Sequence, residues 1–359
     1  MPLTIILKKV NIYIVYKGSL EMKKILFILI SAVFLCSCSY NDEKSAQRDI
    51  FAMDTFMTVK AYGSEAGKAV DISAEKIHQL EKLFSVTDFQ SDISKINNSH
   101  GKPVKISDDT ADIMNFALDM CGKTDGNLDI TIYPVLKEWG FTSSDYKVPD
   151  SRKISELLEL VDYKKIHIDG NMVSVPENME TDLGSVAKGY AGDCIAEIFR
   201  ENSIKSGIIN LGGNIVAVGS KPDGSEWNIG IADPYAPEKN ICTLDMADSA
   251  VVTSGNYERY FTDENGNKYW HILNPENGYP ADSGLVSVTV TGKSAAVCDA
   301  LSTALFVMGT EKAIEYYQHN TDFEMVMIDE NSGIFITQGL ADRIHINDDL
   351  QFSIVYREE

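Results

Sequence analysis

Apolar residues recur at helical spacing in several stretches of the chain, and each stretch predicts an amphipathic helix. The first covers 64–84, and its apolar face is formed by Ala66, Ala69, Val70, Ile77, Leu80 and Phe84. The same spacing predicts helices over 108–121, 151–161 and 184–202, the last opened by glycine and serine. Two further helices are predicted in the second half, over 294–308 and 311–319.

Short apolar runs bounded by glycine and asparagine predict strands between these helices. Residues 51–62 alternate and predict one strand. Two hairpins are expected, 165–169 with 172–175 and 207–211 with 215–218. The remaining predicted strands are 227–232, 241–246, 268–273, 285–291, 324–328 and 333–337. This mixture predicts an α+β fold with largely antiparallel sheets flanked by helices.

The N-terminal region has the pattern of an export signal. Met22-Lys23-Lys24 precedes an apolar run over 25–35, and Leu35 and Ser37 stand before Cys38 in the manner of a bacterial lipobox. A transmembrane anchor is the alternative, but eleven apolar residues are short for a bilayer. We therefore expect a signal region at 1–38, lipidation (palmitate) at Cys38, a polar tether at 39–49 and a domain at 50–345 on the extracytoplasmic face of a bacterial membrane.

The net charge of the chain restricts the classes of ligand that it is expected to bind. The 359 residues carry a net charge of −21, and removal of residues 1–38 leaves −25. Such a surface repels nucleic-acid phosphates, and no cluster of Lys or Arg interrupts it, so no nucleic-acid partner is expected. A phosphate ligand would need local help from a metal ion, a helix N-terminus or individual lysines.

Four cysteines remain after the lipobox, and none has CxxC spacing: Cys121, Cys194, Cys242 and Cys298. Export permits disulfides, and full pairing would allow three connectivities. The apolar surroundings of each cysteine favour buried free thiols.

The apolar helix over 294–308 contains a candidate metal site. Asp299 and Thr303 are four residues apart and face the same way. A buried carboxylate needs a partner, and an Asp with a Thr oxygen suits a hard cation such as Mg²⁺. The alternative is a structural Asp satisfied by the backbone or by a lysine.

Two other positions are candidates for chemistry. Asp182 stands where it could cap the helix over 184–202, whose free N–H groups and Lys188 suit a phosphate. A plain capped helix is the alternative. His271 follows a predicted strand, a common place for a catalytic acid or base, although a single histidine is often structural.

Taken in order, seven segments over about 50–340 resemble the ApbE family of FAD:protein FMN transferases. They are Met53-Asp-Thr-Phe56, Gly126-Asn-Leu-Asp-Ile-Thr-Ile-Tyr-Pro134, Asp182-Leu-Gly-Ser-Val-Ala-Lys-Gly189, Asn210-Leu-Gly-Gly213, Thr253-Ser-Gly255, His271-Ile-Leu-Asn-Pro275 and Cys298-Asp-Ala-Leu-Ser-Thr303. The resemblance implies an ApbE-like, T-fold-like architecture.

The resemblance also implies roles for individual residues. FAD would be held by Met53, Asn127, Leu128, Asp129, Asp182, Lys188 and His271. Magnesium would be bound by Asp299, Thr303 and an oxygen near Ser185, with His271 and Asp299 as catalytic residues. Two positions depart from the family pattern, since Thr87 stands where an aromatic is common and Asn214 where an aspartate is frequent.

The activity implied by the resemblance is metal-dependent transfer of FMN from FAD to a Thr or Ser hydroxyl of a membrane flavoprotein, with release of AMP. Two alternatives stay open. One is metal-dependent hydrolysis of FAD to FMN and AMP, and the other is a flavin-binding lipoprotein without catalysis.

Overall fold

The computed structural model describes residues 4–8, 11–15, 44–346 and 350–357. The chain divides into two units, Met1–Lys44 and Ser45–Glu359. In the first unit, strands β1 (Thr4–Lys8) and β2 (Asn11–Val15) pair antiparallel. The predicted signal run and the lipobox with Cys38 lie outside the described residues. Within the described residues, no helix has the length and hydropathy to cross a membrane.

The second unit is built around a nine-stranded sheet. Its strands are β3 (Ser45–Ala52), β4 (Thr55–Tyr62), β8 (Ser206–Leu211), β9 (Asn214–Val218), β12 (Ser249–Gly255), β15 (Leu285–Gly292), β16 (Phe323–Asp329), β17 (Ile334–Thr337) and β19 (Phe352–Val355). They lie in the order β19-β17-β16-β15-β12-β9-β8-β4-β3 and are antiparallel except for β17 with β19. The α+β prediction with mainly antiparallel sheets is confirmed.

Smaller sheets complete the strands. One contains β10 (Trp227–Asp233), β11 (Ala236–Met246) and β18 (Ile344–Ile346), and another contains β5 (Val104–Lys105), β6 (His167–Asp169) and β7 (Met172–Ser174). The hairpin of β13 (Tyr260–Thr262) and β14 (Lys268–Trp270) stands alone.

The α-helices are α1 (Ala66–Phe84), α2 (Asp92–Asn97), α3 (Asp108–Lys123), α4 (Tyr133–Glu138), α5 (Ser151–Leu158), α6 (Ala187–Glu201) and α7 (Ala295–His319). Of these, α1, α6 and α7 cover one face of the large sheet, and α4 and α5 pack with Leu273 in a separate cluster. The main core lies between this helical layer and the sheet. On the other face of the large sheet, Val251, Val326 and Ile336 pack against Ile229 and Leu244 of the β10-β11-β18 sheet. Every residue of β15 from Leu285 to Thr291 is buried, as expected for a strand covered on both sides.

Three sequence predictions need correction. The strand predicted over 51–62 is the hairpin β3–β4, whose two-residue turn places Met53 and Asp54 at φ of 49° and 57°. No glycine marks this turn, so the sequence lacked its usual signal. Residues 45–49 of the predicted tether belong to β3. The helix predicted from residue 184 begins at Ala187, after a turn over 184–186.

The last predicted helices are one element with a break. Gly309 has a φ of 81° inside α7, a conformation that favours glycine, and it separates the two segments that the sequence predicted. The four cysteines of the described residues are free thiols, and Cys121, Cys242 and Cys298 are buried. This agrees with the prediction. Burial raises the pKa of Cys121 and of Cys242 to about 12, so both thiols stay protonated and unreactive at neutral pH.

Candidate functional site

The predicted site residues gather at one edge of the nine-stranded sheet. The register pairs Met57 with Leu211, Val251 with Ile215, and Gly255 with Ser287. The start of β4, the turn between β8 and β9, the end of β12 and the start of β15 therefore lie side by side. The first turns of α6 and α7 meet at the same edge, because the Gly189 N–H donates to Asp299 Oδ2 at 2.8 Å.

Asp299 is a buried carboxylate, 4% exposed, on the first turns of α7. Desolvation raises its pKa, and the charge of Lys188, the Gly189 N–H and the side chain of Asn214 partly offset that rise. The Nδ2 atom of Asn214 is itself buried with no hydrogen-bond partner among the residues that the structure describes. A buried carboxyl with a raised pKa and a buried amide beside it are features that suit the binding of a charged ligand.

Hydroxyl oxygens lie next to this carboxyl along α7. Ser254 Oγ, at the end of β12, is 2.9 Å from Ser302 Oγ and 3.3 Å from Thr303 Oγ1. Thr303 is one helical turn after Asp299, as the sequence predicted, and the end of β12 supplies a further oxygen that the spacing of α7 could not indicate. The site therefore contains several oxygen atoms that could act as ligands of a hard cation.

Asp182 does not cap a helix. Its Oδ1 accepts a hydrogen bond from the Gly184 N–H at 2.8 Å and holds the turn over 184–186, where Ser185 lies, before α6 begins at Ala187 with no side-chain cap. Desolvation raises the pKa of Asp182, while the charges of Arg259 and Lys188 lower it. Lys188 is thus close enough to influence both Asp182 and Asp299.

His271 follows β14 and is held by the backbone of Arg259. The Arg259 carbonyl oxygen accepts the His271 N–H and lies 3.1 Å from its Nδ1. A carbonyl cannot donate, so Nδ1 carries the proton and Nε2 is left as an acceptor. Desolvation, with the charges of Arg259 and Lys188, lowers the His271 pKa to about 4. The imidazole is therefore neutral at physiological pH.

Two charged residues of the site, Glu258 and Arg259, were missed from the sequence. The Arg259 guanidinium donates to the Phe141 carbonyl and acts electrostatically on Asp182 and His271. The side chain of Glu258 is exposed, yet its carboxyl is partly dehydrated, and this desolvation raises its pKa to about 7, with Lys188 opposing and Asp299 adding to the rise. Both residues follow β12 in an irregular segment, where no periodicity could mark them.

The segment 126–131 lies beside Asp182, since the Asp182 N–H donates to the Ile130 carbonyl at 2.8 Å. Asp129 is buried and accepts hydrogen bonds from the Thr131 N–H and hydroxyl and from the Tyr163 N–H. Asn127 Nδ2 donates to the Thr124 carbonyl, and Leu128 is in the core. These side chains therefore stabilise the conformation of the segment itself. Its backbone is the part that is left to contact a ligand.

Met53 lies at the tip of the β3–β4 hairpin, where its N–H donates to Glu81 Oε1 of α1 at 2.7 Å. The side chain of Thr55 would collide with any Cβ at Gly212, 2.4 Å away, so this tip packs closely on the turn between β8 and β9. The packing brings Met53 to the same edge as the rest of the site.

The oxygen atoms at this edge restrict the kind of metal ion that could bind there. No group of three His, Cys, Asp or Glu side chains that could hold a metal occurs in the described ranges. A transition metal that requires several such ligands does not fit. Magnesium does fit, because it prefers oxygens, retains waters and is commonly bound by one or two carboxylates together with substrate phosphates. Asp299 and Thr303, with Ser185 in the nearby turn, offer oxygens of that kind.

Comparison with known proteins decides the family. The sequence profile described as "ApbE family" matches residues 53–327, most of the chain. The chain belongs to the ApbE family. It is 32% identical over 266 residues to the FAD:protein FMN transferase of Klebsiella pneumoniae (strain 342), with 73% of this chain and 82% of that protein covered.

Solved ApbE structures share the fold. The crystal structure of the ApbE protein of Thermotoga maritima matches with a TM-score of 0.78 and 31% identity, covering 82% of this chain and 98% of that one. The flavinyl transferase ApbE of Pseudomonas stutzeri matches with a TM-score of 0.73 and 28% identity, covering 80% and 92%. The resemblance drawn from the seven sequence segments is confirmed at the level of family and fold.

Proposed function

We propose that this chain is an FAD:protein FMN transferase that, with Mg²⁺, moves FMN from FAD onto a Thr or Ser hydroxyl of a partner flavoprotein and releases AMP. One observation carries the proposal: family membership coincides with a buried Asp299, flanked by hydroxyl oxygens and by Lys188, at an edge where His271 also lies. This arrangement suits the charge of a pyrophosphate.

The reaction exchanges the phosphoanhydride bond of FAD for a phosphoester bond to the acceptor. The acceptor oxygen forms a bond to the phosphorus on the riboflavin side of FAD, and the bond from that phosphorus to the bridging oxygen breaks. AMP leaves with the bridging oxygen, and the acceptor carries FMN as a phosphodiester. Magnesium, held by Asp299, Thr303 and an oxygen near Ser185, would neutralise negative charge on the pyrophosphate.

The chain's own residues would perform the other tasks. His271, neutral and with Nε2 free to accept, takes the proton from the acceptor hydroxyl. Lys188 and Arg259 add positive charge beside Asp182 and Asp299 and would stabilise the phosphates. Met53, Asp182 and the backbone of 127–129 would bind the flavin part of FAD.

A single incubation tests the reaction. Purified protein is mixed with FAD, Mg²⁺ and an acceptor flavoprotein domain, and the products are followed by in-gel flavin fluorescence and by nucleotide chromatography. We expect covalent flavin on the acceptor and AMP in equal amount. Free FMN with free AMP would instead identify a hydrolase, and unchanged FAD would identify a binding protein.

The Asp299→Asn variant and EDTA test the metal in the same assay. Because the amide keeps the shape of the carboxyl and removes its charge, we expect transfer to fall by about 10²- to 10³-fold while the melting temperature stays near that of the wild type. Magnesium added after EDTA should restore the transfer activity of the wild type. Full activity in EDTA would refute the metal mechanism.

We also propose that Cys38 is lipidated and anchors the protein to the extracytoplasmic face of a bacterial membrane, where the acceptor is exposed. The support is Leu35 and Ser37 before Cys38 and a folded unit that starts at Ser45. Mass spectrometry of the protein from the membrane fraction should find Cys38 as its first residue, carrying diacylglycerol. An unprocessed N-terminus, or a Cys38→Ala protein that stays in washed membranes, would contradict this.

A further inference from the structure

Asp193 links the two helices that carry the site. It lies on α6, one turn after Gly189, and its carboxylate accepts three hydrogen bonds from the start of α7. Oδ1 accepts from the Ala295 N–H at 2.7 Å, and Oδ2 accepts from the Ser294 hydroxyl at 2.6 Å and from the Ala296 N–H at 3.0 Å. These N–H groups belong to the first helical turn, which has no partners for them within α7.

The charge of Asp193 suits this position. The N-terminus of a helix carries partial positive charge, and a carboxylate there is stabilised by the helix dipole as well as by the hydrogen bonds. Ser294 contributes on its own side, because its Oγ also accepts the Val297 N–H as the cap of α7. Asp193 and Ser294 together fix where α7 begins relative to α6.

A second contact lies one turn away along both helices. The Gly189 N–H donates to Asp299 Oδ2, and a Cβ at Gly189 would stand 2.3 Å from the Ala295 carbonyl oxygen. A single contact would let one helix pivot on the other. Two contacts, one from Asp193 and one from Gly189, fix the crossing and therefore the relation between Lys188 on α6 and Asp299 on α7.

We propose that Asp193 is a positioning residue for the transferase reaction, holding α7 against α6 so that Asp299 and Lys188 meet the pyrophosphate together. This inference rests on the proposed function. Its three hydrogen bonds occupy the Asp193 carboxylate within the protein, so Asp193 acts through Asp299 and does not contact FAD itself. A second buried aspartate at a junction of two helices, Asp92, allows this role to be separated from ordinary stabilisation.

Asp92 is the matched control. It is buried, lies on α2, and its Oδ2 accepts from the Ser107 N–H at 2.8 Å and from the Thr110 hydroxyl at 3.0 Å at the start of α3. It therefore ties one helix to the start of another, as Asp193 does, without contacting the site residues. Asp193→Asn and Asp92→Asn remove comparable hydrogen bonds in two different places.

The experiment compares both variants with the wild type in melting temperature, transfer kinetics and calorimetric binding of Mg²⁺ in the presence of AMP. Both variants should melt lower. Only Asp193→Asn should lower kcat, by about 10- to 100-fold, as expected when a catalytic group is displaced by about 1 Å. It should also weaken Mg²⁺ binding by at least about tenfold, while at saturating Mg²⁺ the KM for FAD changes by less than about threefold, because the flavin contacts lie elsewhere.

A second pair keeps the test decisive if Asp193→Asn fails to fold. Ser294→Ala removes one donor to Asp193 and the cap of α7, and Ser107→Ala removes the equivalent cap of α3. Ser294→Ala should lower kcat and weaken Mg²⁺ binding in the same direction, and Ser107→Ala should do neither. Equal kinetics and metal binding in Asp193→Asn and Asp92→Asn, or in the two serine variants, would overturn the positioning role.

Failure of the proposed function would look different. In that case the wild type would form no covalent flavoprotein, whatever the variants do. Calorimetry would still report on Asp193, because Mg²⁺ binding needs no acceptor.

Discussion

At the scale of single residues, the site is defined by ionisable groups whose pKa values move in opposite directions. Desolvation raises the pKa of Asp299 and of Glu258, and it lowers the pKa of His271. Each shift favours the neutral form of its group, and the charge of Lys188 opposes the shift of both carboxyls. A bound cation would oppose it further.

The pH profile tests His271. Because its pKa is lowered to about 4, the imidazole becomes protonated only in acid, and its ability to accept a proton is lost as pH falls through about 4 rather than through the ordinary value near 6.5. We expect kcat/KM for FAD to stay nearly constant from about pH 8 down to about pH 5. A decline centred near 6.5 that persists in Glu258→Gln, which removes the carboxyl of pKa about 7, would show that His271 titrates normally.

Replacement of His271 completes this test. His271→Gln should reduce kcat by about 10²- to 10⁴-fold with little change in FAD binding, since the proton acceptor is lost and the pocket remains. His345→Gln is the control, because His345 lies exposed in β18 and pairs with Asp245. Full activity in His271→Gln would exclude it as the base.

The sequence could identify some of these residues and not others. Asp299 was predictable because a carboxylate inside an apolar helix is costly unless it is paired. Glu258, Arg259 and Asp193 gave no such signal. The first two follow a strand in an irregular segment, and the role of Asp193 depends on a helix 101 to 103 positions away in sequence.

At the scale of elements, the site depends on how closely α6 approaches α7. Gly189 permits the approach, since its hydrogen atom faces the Ala295 backbone. The longer helices were predicted well from their periodicity, whereas the six-residue helices α2 and α4 were not predicted. The β3–β4 turn and the start of α6 were not, because Met53 and Asp54 give no turn signal and the glycine before α6 lies in a turn rather than in the helix.

Gly189→Ala tests this crossing. The added methyl group would lie 2.3 Å from the Ala295 carbonyl oxygen, and backbone atoms on both sides must shift to admit it. We expect a loss of about 1–3 kcal/mol in the free energy of unfolding, which lowers the melting temperature by about 2–4 °C for each kcal/mol. Transfer should fall at the same time, because Asp299 moves with α7.

The control is Gly67→Ala in α1. Gly67 is exposed, has ordinary helical backbone angles, and its added Cβ would meet nothing within 4 Å. Alanine is the better helix former, so this variant should melt at or slightly above the wild type and retain full activity. A Gly189→Ala protein that behaves like Gly67→Ala would show that the close crossing is dispensable.

At the scale of the whole molecule, the sheet order is what the sequence could not provide. β4 pairs with β8, and β9 pairs with β12, across long separations in the chain. Such pairings depend on tertiary packing, so local periodicity predicted most strands of the sheet without their neighbours. It missed β12, which carries Ser254, and β19 altogether. Yet this order is what brings the hairpin tip, the turn at Gly212 and the end of β12 to one edge.

The whole chain has a net charge of −21, and its overall electrostatic field repels an anionic nucleotide. At the site, Asp182, Glu258 and Asp299 face Lys188 and Arg259, so the ionised side chains would sum to one negative charge before a dication arrives. Magnesium would reverse that sign, and the benefit would go mainly to the ligand with two adjacent phosphates.

We therefore expect FAD to bind more tightly than FMN or riboflavin when Mg²⁺ is present, as measured by quenching of flavin fluorescence. Removing Mg²⁺ should weaken the binding of FAD most and the binding of riboflavin least, because riboflavin carries no phosphate for the ion to neutralise. Asp299→Asn should reduce the advantage of FAD in Mg²⁺ in the same way as EDTA does in the wild type. If the three flavins bound equally in Mg²⁺, recognition would depend on the isoalloxazine ring alone, and the charge argument for this site would be wrong.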